Sequence, residues 1–190
     1  RKLKIVGQVK ILAVNGSCPN VHAGGWNFGC DPEAAAGVTN AVKSVPDKPV
    51  FRRLTPNVTD IAEIAKAGED AGADGLCLIN TLLGMRIDIN SRRPILKNNM
   101  GGLSGPAVFP VAVRMVYQVR QATKLPILGM GGVAKGSDAV ELMMAGADAV
   151  AVGTACFADA FAPIHVREGL RKYLEENGMN ARDLTNTVQP

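Results

Sequence analysis

Ala71-Gly72-Ala73-Asp74-Gly75-Leu76-Cys77-Leu78-Ile79 and Ala145-Gly146-Ala147-Asp148-Ala149-Val150-Ala151-Val152 are one phrase written twice. Each reads as the end of a helix, a glycine that closes it, and an apolar run short enough to be a buried strand. Working outward, the same alternation recurs along the chain. Strands are expected at 10–14 (ending at Asn15), 49–54, 75–79, 126–129 and 149–152. Helices are expected at 32–45, with Asp31 as N-cap and Pro32 at the first position, from Thr59 or Asp60 to Ala71, and at 110–123. Ser137 or Asp138 caps a further helix ending near Ala145, and helices near 157–162 and 164–177 close the chain. The stretch 84–106 reads as a long irregular loop, of the kind that carries function.

Strands alternating with helices specify βαβ units and a parallel sheet. The evenly repeated helix-to-strand turn favours an α/β fold of the (β/α)8 TIM-barrel type, folded as a single domain over 1–190. A complete barrel needs about 250 residues, so five visible units leave about three absent. The alternative, an open five-stranded α/β sheet, fits the length with no unit missing.

The composition narrows the class. The chain has 190 residues, 47% of them apolar and 20% charged, which excludes disorder and collagen-like structure. A net charge of +4 with 4% aromatic residues gives little support to nucleic-acid binding, and no apolar run is long enough to cross a membrane. Cys18, Cys30, Cys77 and Cys156 form no C-x-x-C pair, and His22 and His165 lack metal-ligand spacing. Reduced thiols in a cytoplasmic protein, with no metal, are the expectation. The start Arg1-Lys2-Leu3-Lys4 shows neither Met nor an apolar signal region, so no signal peptide is expected and an upstream segment is expected to be missing.

In such a barrel ligands meet the C-terminal ends of the strands. There the sequence places Asn15 to Asn20, Arg53, Asn80-Thr81, Gly131-Gly132 and Gly153-Thr154. Glycine turns after the last two strands suit a phosphate, although glycine also simply permits a turn. Cys18, in a polar turn, is a candidate base or nucleophile, or else inert packing. Asn15, Asn20 and Asn80 offer paired donors and acceptors to a planar polar ligand, and each is alternatively ordinary turn chemistry. Arg53, a cation on an apolar strand, needs an anionic ligand or a salt bridge inside the barrel. Cys77 reads as core, and Trp26 and Phe28 as a contact surface or packing.

Six blocks carry a resemblance. Asn15-Gly16-Ser17-Cys18-Pro19-Asn20-Val21 is followed by Leu54-Thr55-Pro56-Asn57-Val58-Thr59-Asp60 and Ile79-Asn80-Thr81-Leu82. Gly101-Gly102-Leu103-Ser104-Gly105-Pro106-Ala107, Gly129-Met130-Gly131-Gly132-Val133 and Val152-Gly153-Thr154-Ala155 complete the set. Over about residues 11 to 177 the chain resembles the catalytic subunits of dihydroorotate dehydrogenase, of the two-subunit, NAD-linked bacterial class.

The resemblance implies the last five units or so of an FMN-binding (β/α)8 barrel that oxidises dihydroorotate to orotate in pyrimidine biosynthesis. Cys18 falls on the general base, and Asn15, Asn20, Asn80 and Thr81 on substrate-contacting positions. Asn15, Arg53, Ile79, Gly105, Gly131, Gly132, Gly153 and Thr154 fall on FMN-contacting positions. It further implies a homodimer of catalytic subunits within a heterotetramer, whose second subunit carries FAD and a [2Fe–2S] cluster and passes electrons to NAD. Arg53 stands where the family has Lys, Gly16 where it has a bulky aliphatic, and Ala13 where an acid is usual. The family's first units, with a further Lys and Asn at the site, are expected to be absent, leaving a fragment inactive alone. Other readings are another FMN-dependent dihydropyrimidine oxidoreductase and a non-catalytic phosphate- or nucleotide-binding α/β module.

Overall fold

The computed structural model describes residues 9–16, 27–44 and 48–189. In chain order its elements are β1 (Leu12–Asn15), α1 (Asn27–Cys30), α2 (Pro32–Lys43), β2 (Val50–Arg53), α3 (Ile61–Asp70) and β3 (Gly75–Leu78). An excursion follows, made of β4 (Leu82–Met85), β5 (Ile87–Asp88), β6 (Arg93–Pro94) and β7 (Met100–Leu103). Then come α4 (Phe109–Ala122), β8 (Ile127–Met130), α5 (Gly136–Met144), β9 (Ala149–Ala151), α6 (Ala162–Glu176) and α7 (Ala181–Leu184).

β1, β2, β3, β8 and β9 form one all-parallel sheet in that spatial order. The order never reverses, so each crossover helix lands beside the previous one, and α2 through α6 pack in succession. A doubly wound sheet reverses at a switch point and divides its helices between two faces. The observed order is therefore the wall of a barrel and excludes the open doubly wound alternative. The core lies between sheet and helices, where Leu54, Ile64, Leu76, Leu78, Met115 and Leu142 are almost wholly buried.

The termini of the elements follow from particular groups. The Asp31 carboxylate accepts the Ala34 N–H at 3.1 Å, and that of Asp60 accepts the Ala62 N–H at 2.8 Å, so both act as N-caps. α5 departs from expectation. Its cap position is Lys135, and Asp138 lies inside the first turn, where it reaches back to the N–H groups of Ala134 and Lys135 at 2.9 and 3.1 Å. The expected helix near 157–162 does not form, because Thr154–Phe157 is a short 3-10 turn and α6 begins at Ala162. α7, which the sequence reading lacks, is closed by reciprocal bonds between Asn180 and Asp183.

The stretch 84–106 is not an irregular loop. β4 and β7 pair antiparallel from Leu82↔Leu103 to Met85↔Met100, and β5 and β6 extend the ribbon. Gly84, Gly101, Gly102 and Pro94 interrupt the alternation by which strands are read, so the ribbon leaves no period in the sequence.

The repeated phrase proves to be a structural device. Asp74, just before β3, accepts the Val50 N–H at the start of β2 at 2.7 Å and pairs with Lys43 Nζ at 2.6 Å. Asp148, just before β9, accepts the Ile127 N–H at the start of β8 at 2.8 Å and pairs with the Arg120 guanidinium at 2.5 Å. In both units the carboxylate ties adjacent strands to the helix that precedes the first of them.

Candidate active site

The C-terminal ends of β2, β3, β8 and β9 surround a cleft of about 230 Å³. β2 supplies Arg53, the end of β3 supplies Ile79, Asn80 and Thr81, and the turn after β8 supplies Gly131 and Gly132. Gly153 and Thr154, after β9, close its far wall. Gly105 lies in an adjoining cleft that shares Gly132 and Thr154 with the first. β1 joins through its last residue, as Asn80 Nδ2 donates to Asn15 Oδ1 at 3.4 Å. The structure thus brings Asn15, Arg53, Ile79, Asn80, Thr81, Gly105, Gly131, Gly132, Gly153 and Thr154 to one rim. Cys18 and Asn20 lie outside the described residues, as does Trp26.

Arg53 is one of two arginines, not a lone cation on an apolar strand. Side chains alternate along β2, and the Arg52 stem lies against Gly68 of α3, beside the Leu76 side chain. Arg53 therefore takes the opposite face, paired in register with Cys77. Among the described residues no carboxylate pairs with Arg53, and its Nε is buried without a hydrogen-bond partner. That observation speaks against the internal salt bridge and for an anionic or acceptor-bearing ligand. Arg52 is wholly buried, and burial lowers its pKa from the usual arginine value. A Cβ added at Gly16 would meet the Arg52 guanidinium at 3.0 Å. The guanidinium occupies the volume that a bulky aliphatic at 16 would claim, so Gly16 and the buried Arg52 are spatially matched. The adjacent Arg52-Arg53 pair was the available sequence signal, since period two sends one arginine to each face.

The glycine turns are geometrically specific. Gly131 and Gly132 have φ of 123° and 82°, a region L side chains rarely adopt. A Cβ at Gly132 would lie 2.7 Å from the Gly105 carbonyl oxygen and 2.8 Å from Phe109 Cβ. The turn after β8 thus packs backbone to backbone with the loop that carries Gly105, leaving a cradle of main-chain groups beside Thr154. Such a cradle suits a phosphate. With the unpartnered Arg53 Nε at the other end of the cleft, the residues present fit a long ligand bearing a phosphate and an acceptor-rich ring, as FMN does.

The thiols separate cleanly. Cys77 is buried in β3, and burial pushes it up to about 11 despite the opposing charge of Arg53. Cys30 donates to the Asn57 carbonyl at 3.6 Å, and burial raises its pKa. Cys156 is exposed. Among the described residues no cluster of His, Cys, Asp or Glu could hold a metal, and no helix is long and apolar enough to cross a membrane.

An uninterrupted parallel strand order, with a cleft at the C-terminal ends of the strands and glycine turns after the last two, defines the chain as part of a (β/α)-barrel protein. The dihydroorotate dehydrogenase family model matches residues 1–174, and the chain belongs to that family. It is 52% identical over 190 residues to dihydroorotate dehydrogenase A (fumarate) of Lactobacillus helveticus, covering all of this chain and 62% of that protein. It is 59% identical over 168 residues to the catalytic subunit of dihydroorotate dehydrogenase B (NAD(+)) of Alkaliphilus metalliredigens, covering 88% of this chain and 56% of that one. The solved dihydroorotate dehydrogenase of Eimeria tenella in complex with ferulenol superposes with a TM-score of 0.79 at 24% identity, over 96% of this chain and 55% of that one. That likeness establishes the barrel fold. The chain spans 56 to 62% of the length of these two curated relatives.

Proposed function

We propose that the chain carries the FMN and substrate site of a dihydroorotate-oxidising enzyme of pyrimidine biosynthesis. The observation that carries this reading is the convergence of Arg53, Asn80, Thr81 and both glycine turns on one cleft of a member of this family. FMN, when bound, supplies the hydride acceptor. The main chain at Gly131, Gly132, Gly153 and Thr154 holds the phosphate end, and Arg53, with Ile79 beside it, holds the ring end. Asn15, Asn20, Asn80 and Thr81 fix the dihydropyrimidine in its plane by paired donors and acceptors. Cys18 takes the C5 proton as hydride leaves C6, so that the substrate loses one proton and one hydride and becomes orotate. Cys18 and Asn20 enter this scheme from the family motif alone.

The higher identity to the NAD-linked catalytic subunits supports a partner subunit bearing FAD and an iron–sulfur cluster, with NAD as final acceptor. Fumarate, named for the Lactobacillus relative, is the competing acceptor. The test is a titration of FMN into the purified chain, followed by flavin fluorescence, with dihydroorotate added anaerobically at the end. Saturable quenching followed by bleaching is the result this reading requires, and it would correct the expectation of a fragment inactive alone, whereas absence of saturable binding overturns the reading. Reoxidation of the bleached flavin by fumarate without any second subunit would move the chain to the fumarate-using class.

A further inference from the structure

The side chain of Asn57, in the turn between β2 and α3, bridges three partners. Its Nδ2 donates to Thr55 Oγ1 at 3.0 Å and to the Thr81 carbonyl at 3.1 Å, while its Oδ1 accepts the Leu83 N–H at 2.8 Å. Thr55 is buried, and its hydroxyl also accepts the Asn57 N–H at 3.2 Å, which anchors the amide. Both the donor and the acceptor end of the amide are engaged. Its orientation is set by chemistry, since only nitrogen can donate to a carbonyl and only oxygen can accept from an N–H.

The two residues it grips straddle the step from β3 into β4. Between the end of β3 and that step lies Asn80, whose N–H donates to the Leu54 carbonyl at 2.9 Å and whose side chain reaches Asn15. Thr81 is held a second time, because its hydroxyl fits against Gly102 of β7 so closely that a Cβ there would collide with it. Thr81 thus has its carbonyl fixed from the β2 turn and its side chain fixed from the ribbon, and it lines the cleft between them.

We propose that Asn57 is a positioning residue that sets where Asn80 and Thr81 present their polar atoms to the dihydropyrimidine ring. It acts through those residues and takes no part in the chemistry, and the inference rests on the substrate reading of the cleft given above. Without the amide, the Thr81 carbonyl and the Leu83 N–H lose their shared partner, and the substrate-facing segment loses its reference to the sheet.

The experiment compares the FMN-loaded chain with its Asn57→Ala, Asn57→Asp and Thr55→Val variants. Orotate is titrated against flavin absorbance, FMN affinity is measured separately, and amide exchange is followed by NMR on the unliganded proteins. For Asn57→Ala, orotate should bind about tenfold more weakly and the KM for dihydroorotate should rise similarly, while FMN affinity stays within about twofold. The Leu83 amide should exchange about tenfold faster, with the amides of α4 and α6 unchanged. Asn57→Asp keeps the acceptor for Leu83 but sets a carboxylate against the Thr81 carbonyl, so it should retain Leu83 protection and still lose orotate. Thr55→Val should move both readouts in the same direction and by less. A parallel loss of FMN and orotate affinity, the mark of a merely structural role, overturns the proposal, as does unaltered Leu83 exchange in Asn57→Ala. If the unmodified chain binds FMN but no orotate, the substrate reading fails and this proposal with it. If it binds no FMN, the flavin reading fails, while Leu83 exchange still decides whether the clamp exists.

Discussion

At the N-terminal rim of the sheet two β/α units solve one problem in the same way, whereas at the C-terminal rim no two strand ends carry the same residues. Below, Asp74 and Asp148 each tie a neighbouring strand's first N–H to a cation from the preceding helix. Above, β1 ends in Asn15, β2 in Arg53, β3 leads into Asn80-Thr81, and β8 and β9 lead into glycine turns. Repetition below gives each unit the same closure, which any β/α pair can use. On the function proposed above, divergence at the upper rim serves one asymmetric ligand site, because a molecule with a phosphate at one end and a polar ring at the other needs a different partner at each strand end. On that reading the lower rim answers to stability and the upper to binding.

The sharpest way to test that division is to change the proposed site without touching the lower rim. Cys18→Ala should slow anaerobic reduction of bound flavin by dihydroorotate about 1,000-fold, in the range expected for a general base. Stopped-flow absorbance reads this directly, and the melting temperature should not move; an unchanged rate sinks the assignment of the base. Gly132→Ala comes next. Its φ of 82° and the approach to the Gly105 carbonyl make a methyl group costly there, so FMN affinity should fall about 100-fold in a fluorescence titration.

Changes to the lower rim should do the reverse. Asp148→Ala leaves the Ile127 N–H without its side-chain acceptor and Arg120 without its carboxylate, and should lower the unfolding free energy by about 1–3 kcal/mol in urea. FMN affinity of the folded protein should stay within about twofold. A large loss of FMN affinity in this variant would break the comparison.

The smallest effect is a pH dependence. Burial alone would push the Asp74 carboxyl up, but the hydrogen bonds from Lys43 and the Val50 N–H, with the Lys43 charge, outweigh it and hold the group below its ordinary value. A carboxyl depressed in the folded state contributes stability that is complete above its unfolded value near 3.9 and is lost as the pH falls through the lower folded value. The urea midpoint of the protein should therefore drop below about pH 4, and Asp74→Asn should make that drop shallower. The site is partly exposed, so salt should weaken the difference.

Much of the lower rim was legible in the sequence. The twice-written Ala-Gly-Ala-Asp phrase marked the units, and the capping carboxylates of Asp31 and Asp60 marked two helix starts. The residues of the upper rim could be named because strand ends are fixed by where apolar runs stop. What escaped was of another kind. The ribbon from β4 to β7 hid behind glycines and a proline, and Asp138 looked like a cap although its carboxylate reaches back from inside the first turn. Asn57 stood in a quoted motif with no role, since its three partners lie at positions 55, 81 and 83 and meet only when the β2 turn folds over the end of β3.

By itself the sequence determined the β/α alternation, the strand ends and the residue types gathered there, because these depend on local periodicity and turn chemistry. Only the tertiary structure decided between barrel wall and open sheet, set Arg52 under α3 and Arg53 in the cleft, and joined Asn57 to Thr81. Those outcomes depend on which face of a strand meets a helix and which distant backbone groups come within hydrogen-bond reach, and neither is encoded in any short stretch of chain.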